Sequence, residues 1–220
     1  QSPPEAMRRV IRNLVGPAAS FNLPGIWFAI VFVAACAHST GAAWPFDILH
    51  PRGEPIWWMQ IGSQAVLIAV LHRCRSRRAA MASGLLFATT WLCATFWWLF
   101  ISMHTYGDLA WPLAALAVGA LAAALAVYYA LAAGVYWHLR ERSAWARVTA
   151  FAALWTAAEM ARGTWLTGFG WGAIGYAHAD GPLAVAIPWV GVYGVGALAA
   201  GVAAALAPAC GTRATRLAAV

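Results

Sequence analysis

Residues 109–139 decide the class of protein, because they read LAWPLAALAVGALAAALAVYYALAAGVYWHL without a single Asp, Glu, Lys or Arg. This apolar stretch exceeds the roughly 20 residues that a helix needs to cross a bilayer core about 30 Å thick. Alternating segments of about ten residues, which a transmembrane β-barrel would require, do not occur in the sequence. The stretch therefore predicts a membrane-spanning helix.

The composition of the whole chain agrees with a membrane protein. Of the 220 residues, 63% are hydrophobic and 10% are charged, whereas a soluble domain has about 45–50% apolar and about 25% charged residues. The 14 Trp, 9 Phe and 6 Tyr argue against a disordered chain, because they supply surface to bury. The net charge of +7 comes from Arg clusters between apolar runs, so it does not indicate a nucleic-acid partner.

Charge-poor stretches recur along the chain and predict an all-α fold, a polytopic membrane bundle of about six transmembrane helices. The fifth stretch is the weakest because Glu159 interrupts it, and it spans if the arginines at its two ends extend to opposite interfaces. We expect a cytoplasmic segment over residues 1–24, a transmembrane domain over residues 25–208, and a tail over residues 209–220 that starts a truncated seventh helix. The six helices are predicted near residues 25–43, 56–72, 79–103, 110–138, 145–163 and 184–208.

The distribution of arginine predicts the orientation of this bundle. If the N-terminus is cytoplasmic, 12 of the 14 Arg fall on the inner side, and only Arg52 and Arg162 fall on the outer side. Positive residues are enriched in cytoplasmic loops, so the opposite orientation is disfavoured. The sequence therefore predicts a multi-pass membrane protein with its N-terminus in the cytoplasm.

Residues 163–182, GTWLTGFGWGAIGYAHADGP, form the most unusual predicted loop, which we call the glycine–aromatic loop. It contains six Gly and almost no charge, so it resembles neither a water-exposed linker nor an isolated span. Gly permits close backbone approach, and Trp and Tyr suit the headgroup level of a membrane. The loop is therefore either a docking surface for a lipid or an ordinary interfacial loop packed on protein.

Glu159 is the one acidic residue inside a predicted span, and intramembrane acids are candidates for functional sites. Arg162 follows three residues later, which places both side chains on one face of a helix, one turn apart. The two residues are either polar groups near a substrate headgroup or a structural ion pair that anchors the helix end.

Other chemical motifs are weak in this sequence. Outer His and acidic residues could in principle bind zinc, yet no H-E-x-x-H or paired-ligand spacing appears. No Ser lies in a G-x-S-x-G context, and the four Cys form no C-x-x-C motif. We therefore expect no metal site, no cofactor and no catalytic residue in this chain.

Several ordered motifs resemble those of bacterial apolipoprotein N-acyltransferases. Residues 97–107, WWLFISMHTYG, resemble the family's WWxYISxHxxGG passage, and residues 155–163, WTAAEMARG, resemble WxxxEWLRG. Residues 166–171, LTGFGW, resemble FTGFPW, with Gly170 where the family usually has Pro. Further matches are WPFD at residues 44–47, GYAHADGPL at residues 175–183 and GVYGV at residues 191–195.

The resemblance implies a bacterial inner-membrane enzyme. Such enzymes transfer an acyl chain from a phospholipid to the free α-amino group of the N-terminal Cys of a diacylated lipoprotein. Eight membrane helices surround a periplasmic nitrilase-like domain with a Glu-Lys-Cys triad. This chain contains no Lys, so that triad cannot be assembled from it. We therefore expect the membrane portion of such an enzyme, inactive by itself, with phospholipid, diacylated lipoprotein and membrane lipid as partners.

The candidate binding residues lie in and beside the glycine–aromatic loop. They are Glu159, Arg162, Thr167, Gly168, Phe169, Trp171, Gly175 and Tyr176, with His104 and Tyr106 as second choices. Two alternatives from other classes stay open. The first is a small non-enzymatic membrane protein that uses the same helices to bind or transport a lipid or solute, although a transporter should show internal repeats. An intramembrane metalloprotease would use Glu159 together with outer His residues.

Overall fold

A computed structural model describes residues 25–48 and 50–217 of the chain, with side chains described up to residue 207. Within these residues the protein has seven α-helices and no β-strand, which confirms the all-α class. The predicted cytoplasmic segment, residues 1–24, lies outside the described residues. The helices are α1 Gly25–Ala42, α2 Trp57–Arg73, α3 Arg77–Thr95, α4 Trp97–Ile101, α5 Trp111–Leu139, α6 Ala144–Thr164 and α7 Ile187–Leu217.

Three segments are helical, long and apolar enough to cross a membrane by themselves: α1, α5 and Ala184–Ala207, which includes the first part of α7. A fourth qualifies if α3 and the helical residues up to Tyr106 act as one span that is bent by 51°. The remaining two predicted spans correspond to α2 and α6, which carry buried polar and charged side chains. The count of six spans therefore stays a prediction.

The bend after α3 has a local cause. The Thr95 hydroxyl donates to the carbonyl oxygen of Trp91 at 2.9 Å, a contact that bends helices, and Phe96 leaves helical geometry at φ −94° and ψ 11°. After α4 the chain makes one turn of π-helix, Ser102–Tyr106. Where the apolar pattern predicts one helix near residues 79–103, the structure thus has two.

An aromatic cluster occupies the centre of the bundle. The rings of Trp91 and Trp155 stack with centroids 5.9 Å apart, and Tyr129 contacts them at 5.4 and 4.9 Å, respectively. All three side chains are buried. Such ring pairs contribute about 0.5–1.5 kcal/mol each beyond the burial of their area. The cluster therefore joins α3, α5 and α6.

Small residues let α3 and α5 approach closely. A Cβ added at Gly84 in α3 would lie 2.7 Å from the Cβ of Ala133 and 3.0 Å from the carbonyl oxygen of Tyr129. In lipid, helices associate through such close packing, because hydrophobic burial alone gives them no preference for one another. The buried alanines of α5 are Ala114, Ala122, Ala126, Ala130 and Ala133.

Gly84→Ala is expected to lower the thermal unfolding midpoint of the detergent-solubilised chain. The added methyl group must displace α5, and overpacking costs about 1–3 kcal/mol. Gly119→Ala is the matched control, because nothing lies within 4 Å of its added Cβ and the helix gains up to about 1 kcal/mol in propensity. Scanning fluorimetry of both variants checks this difference, and equal shifts would show that the α3–α5 contact does not limit stability.

Candidate functional site

The glycine–aromatic loop leaves α6 through a left-handed turn. Leu166 has φ 52° and ψ 49°, Thr167 has φ 78° and Gly168 has φ 73°. A non-glycine residue in the left-handed region costs about 1–2 kcal/mol, so contacts elsewhere must hold the turn. The tip presents Leu166, which is 91% exposed, and the exposed ring of Trp165.

Arg162 holds this turn against the end of α6. Its side chain is completely buried, and Nη1 donates to the carbonyl oxygens of Phe169 at 2.6 Å and Trp171 at 2.7 Å. Nε donates to the hydroxyl of Tyr129 at 3.0 Å, and the Phe169 amide donates to the carbonyl oxygen of Arg162 at 2.7 Å. Charge-assisted hydrogen bonds are stronger than neutral ones, so this side chain fastens the loop to α5 and α6.

Glu159 holds the next part of the loop. Its side chain is completely buried, and Oε1 accepts a hydrogen bond from the Ile174 amide at 2.9 Å. Among the described residues, no ion pair joins Glu159 and Arg162, although their spacing permits one. Each of them instead binds the backbone of the glycine–aromatic loop.

Two glycines allow the loop to close onto its neighbours. Gly168 lies against the carbonyl oxygen of Gly163, and Gly175 lies against the carbonyl oxygen of Val192 in α7. A Cβ at either position would overlap that oxygen, so a side chain at either position would force the backbones apart. The loop is thus seated between α6 and α7.

A groove of about 570 Å³ opens between the loop and the start of α7, and we call it the loop–α7 groove. The rings of Trp171 and Tyr176 form its rim and are 63% and 64% exposed. Trp171 packs against Trp98 with ring centroids 5.6 Å apart. The residues that line the groove are Gly170, Trp171, Gly172, Ala173, Tyr176, Val192 and Tyr193.

The structure gathers several of the predicted residues around this groove. Trp171 and Tyr176 line it, Gly175 fits against α7, and Glu159 and Arg162 hold the loop from α6. Sequence reasoning missed Val192 and Tyr193, which come from the next helix. In the sequence, only the GVYGV match at residues 191–195 pointed to these two residues.

The remaining predicted binding residues do not line the groove. Thr167 and Gly168 form the exposed turn, and Phe169 packs against Phe96 with ring centroids 4.9 Å apart. His104 and Tyr106 lie on the π-helical turn and do not line the groove. Within the described part of the chain, no three His, Cys, Asp or Glu side chains are placed to hold a metal ion.

Sequence reasoning also missed a buried polar contact between α1 and α2. The Nδ1 atom of His38 lies 2.8 Å from the Ser63 hydroxyl, which itself donates to the carbonyl oxygen of Gln60 at 2.8 Å. His38 and Ser63 fasten the two helices together.

His178 anchors the second half of the loop. Its side chain is completely buried, and neither ring nitrogen has a hydrogen-bond partner among the described residues. The loss of solvation lowers the pKa of His178 from 6.5 to about 4, so the imidazole is neutral at pH 7. The 3₁₀ turn Ile174–His178 packs against α1, α2 and α7.

The fold and the site define a helical bundle of membrane type with an aromatic groove at one end. The family model for the apolipoprotein N-acyltransferase N-terminal domain matches residues 41–205. The chain therefore belongs to the apolipoprotein N-acyltransferase family, which confirms the resemblance.

Curated relatives named apolipoprotein N-acyltransferase support this membership. The protein of Verminephrobacter eiseniae (strain EF01-2) is 49% identical over 189 residues, which are 84% of this chain and 33% of that relative. The protein of Ralstonia nicotianae (strain ATCC BAA-1114 / GMI1000) is 44% identical over 160 residues, 71% of this chain and 31% of the relative. The chain thus spans about a third of the length of these relatives.

Glu159→Leu is expected to loosen the loop by about 1–3 kcal/mol, because the buried Ile174 amide loses its acceptor. Glu159→Gln is the matched control, since its Oε1 accepts the same hydrogen bond without a charge. Limited chymotrypsin cleavage at the exposed aromatic residues of the loop measures the difference. Faster cleavage is expected for the Leu variant alone, and equal rates in both variants would contradict the role of this hydrogen bond.

Acidification is expected to destabilise the loop through His178. The folded pKa lies below the unfolded value, so the stability contribution is complete above about pH 6.5 and declines as the pH falls towards about 4. The steepest possible slope from one group is about 1.4 kcal/mol per pH unit. Thermal unfolding of the wild type and of His178→Gln across this range checks the effect. Identical pH profiles would exclude it.

Proposed function

We propose that this chain is the membrane-embedded portion of an enzyme that transfers an acyl chain from a phospholipid to the N-terminal Cys amino group of diacylated lipoproteins. The observation that carries the proposal is the loop–α7 groove, whose lining residues all lie within the part of the chain that the family model matches. Its rim residues Trp171 and Tyr176 combine an apolar ring with a polar group, as suits the level of lipid headgroups and glycerol backbones.

In this proposal the groove faces the periplasm from a bacterial inner membrane. All six predicted helices span the membrane, and the N-terminus is cytoplasmic. The charge at the opposite end of the bundle supports this orientation, because positive residues favour the cytoplasmic side. The described arginines at that end are Arg73, Arg75, Arg77, Arg78, Arg140, Arg142 and Arg147.

The chain contributes lipid positioning in this proposal, and no nucleophile. Acyl transfer through a thioester needs a thiolate with an activating base, and the family's triad includes a Lys that this sequence does not contain. Burial raises the pKa of the Cys74 thiol, which disfavours its reactive thiolate. We therefore expect the 220-residue chain to be inactive when it is tested by itself.

A chimera tests this function. The chain replaces the matching N-terminal third of the Verminephrobacter relative, and proteoliposomes are assayed for transfer of a labelled acyl chain to a diacylated lipopeptide. We expect transfer by the chimera and none by the chain alone. Trp171→Ala at the groove should lower the rate, whereas Trp145→Ala, an exposed ring at the opposite end, should not.

Two results would contradict the proposal. One is a chimera that inserts and remains folded but transfers no acyl chain. The other is acyl transfer by the purified 220-residue chain without the rest of the relative.

A further inference from the structure

The loop–α7 groove has backbone donors whose direction is set by Arg162. Nη1 of Arg162 binds the carbonyl oxygens of Phe169 and Trp171, and the N–H groups of those peptide units belong to Gly170 and Gly172. The described residues contain no cis peptide bond, and in a trans peptide unit the N–H and the C=O point in opposite directions. The N–H groups of Gly170 and Gly172 therefore point away from the guanidinium.

These N–H groups are unpaired in the described part of the chain. Among the described residues, neither of them has a hydrogen-bond acceptor, and both glycines line the groove. Glycine has no side chain to cover its own N–H. The hydroxyl of Tyr193, also without a hydrogen-bond partner in the described part of the chain, lies 3.6 Å from where a Cβ of Gly170 would stand. Three donors thus border one groove.

The charged group in hydrogen-bond contact with these two peptide units is a cation. The Arg162 guanidinium is completely buried one peptide unit behind them, and its Nη2 has no hydrogen-bond partner among the described residues. A cation that binds the carbonyl end of a peptide group polarises its N–H and strengthens it as a donor. Concave backbone segments with neighbouring free N–H groups are a recurrent way to bind anions.

We propose that the loop–α7 groove binds the phosphate group of a membrane phospholipid through the N–H groups of Gly170 and Gly172 and the hydroxyl of Tyr193. This proposal rests on the proposed function, in which the groove lies at the membrane surface. A volume of about 570 Å³ falls in the range of small-molecule sites, and the exposed rings of Trp171 and Tyr176 would flank the glycerol backbone.

Gly170 gives this chain a donor that the family pattern usually lacks, because Pro has no backbone N–H. Gly170→Pro therefore removes one donor while it introduces the residue that the family accepts at this position. Gly170→Ala keeps the N–H and shows what an added side chain at this position costs by itself. Its Cβ meets only ordinary contacts, at 3.6 Å from the Tyr193 hydroxyl and 4.0 Å from the Cα of Gly163.

Native mass spectrometry of the purified chain can compare phosphatidylglycerol with diacylglycerol that carries the same acyl chains. We expect Gly170→Pro to weaken phosphatidylglycerol binding about tenfold more than Gly170→Ala does, because only the Pro variant loses the N–H. Diacylglycerol should bind more weakly than phosphatidylglycerol, and its binding should be equal in all variants. Tyr193→Phe should weaken phosphatidylglycerol binding several-fold. This variant tests the site independently of whether the loop tolerates Pro at position 170.

Three outcomes would overturn the proposal. They are equal binding of the two lipids by the wild type, equal effects of Gly170→Pro and Gly170→Ala, and inorganic phosphate that binds as tightly as phosphatidylglycerol. The last result would identify free phosphate as the ligand. None of these measurements involves acyl transfer, so the phosphate site can fail while the chimera is active, and the chimera can fail while the site binds lipid.

Discussion

The buried guanidinium of Arg162 is the constraint on which the site depends. Through two of its nitrogens, one side chain joins α5, α6 and the glycine–aromatic loop. A charge inside an apolar bundle is costly unless it is hydrogen-bonded, so the loop cannot detach without leaving that charge unsatisfied. This cost offsets the left-handed conformations of Leu166 and Thr167, in a turn that the Gly168 N–H closes by donating to the carbonyl oxygen of Trp165.

The helix packing determines where the Arg162 guanidinium lies relative to the glycine–aromatic loop. Close contact at Gly84 sets α3 against α5, and the aromatic cluster then brings Trp91 and Tyr129 beneath the loop. The guanidinium carbon lies 5.9 Å from the ring of Trp91, while Nε binds the hydroxyl of Tyr129. The loop–α7 groove therefore depends on contacts made in the middle of the bundle.

The sequence was sufficient to predict the helical class, the family and the unusual composition of the glycine–aromatic loop, because apolar length and local composition are short-range signals. It could not predict that Glu159 and Arg162 bind backbone and not each other, since the same helical spacing serves both arrangements. Val192 and Tyr193 reach the groove through tertiary packing, which no local pattern encodes. The break at Phe96 was missed because hydropathy continues through it.

Amide hydrogen exchange tests most directly whether Arg162 holds the glycine–aromatic loop in place. Arg162→Met removes the guanidinium but keeps an apolar side chain of similar length. If the hydrogen bonds of Arg162 hold the loop in place, the amides of Phe169 and Ile174 exchange slowly in the wild type and at least about tenfold faster in the variant. The amides of α5 stay protected in both. Unchanged protection of Phe169 and Ile174 in a folded variant would contradict it.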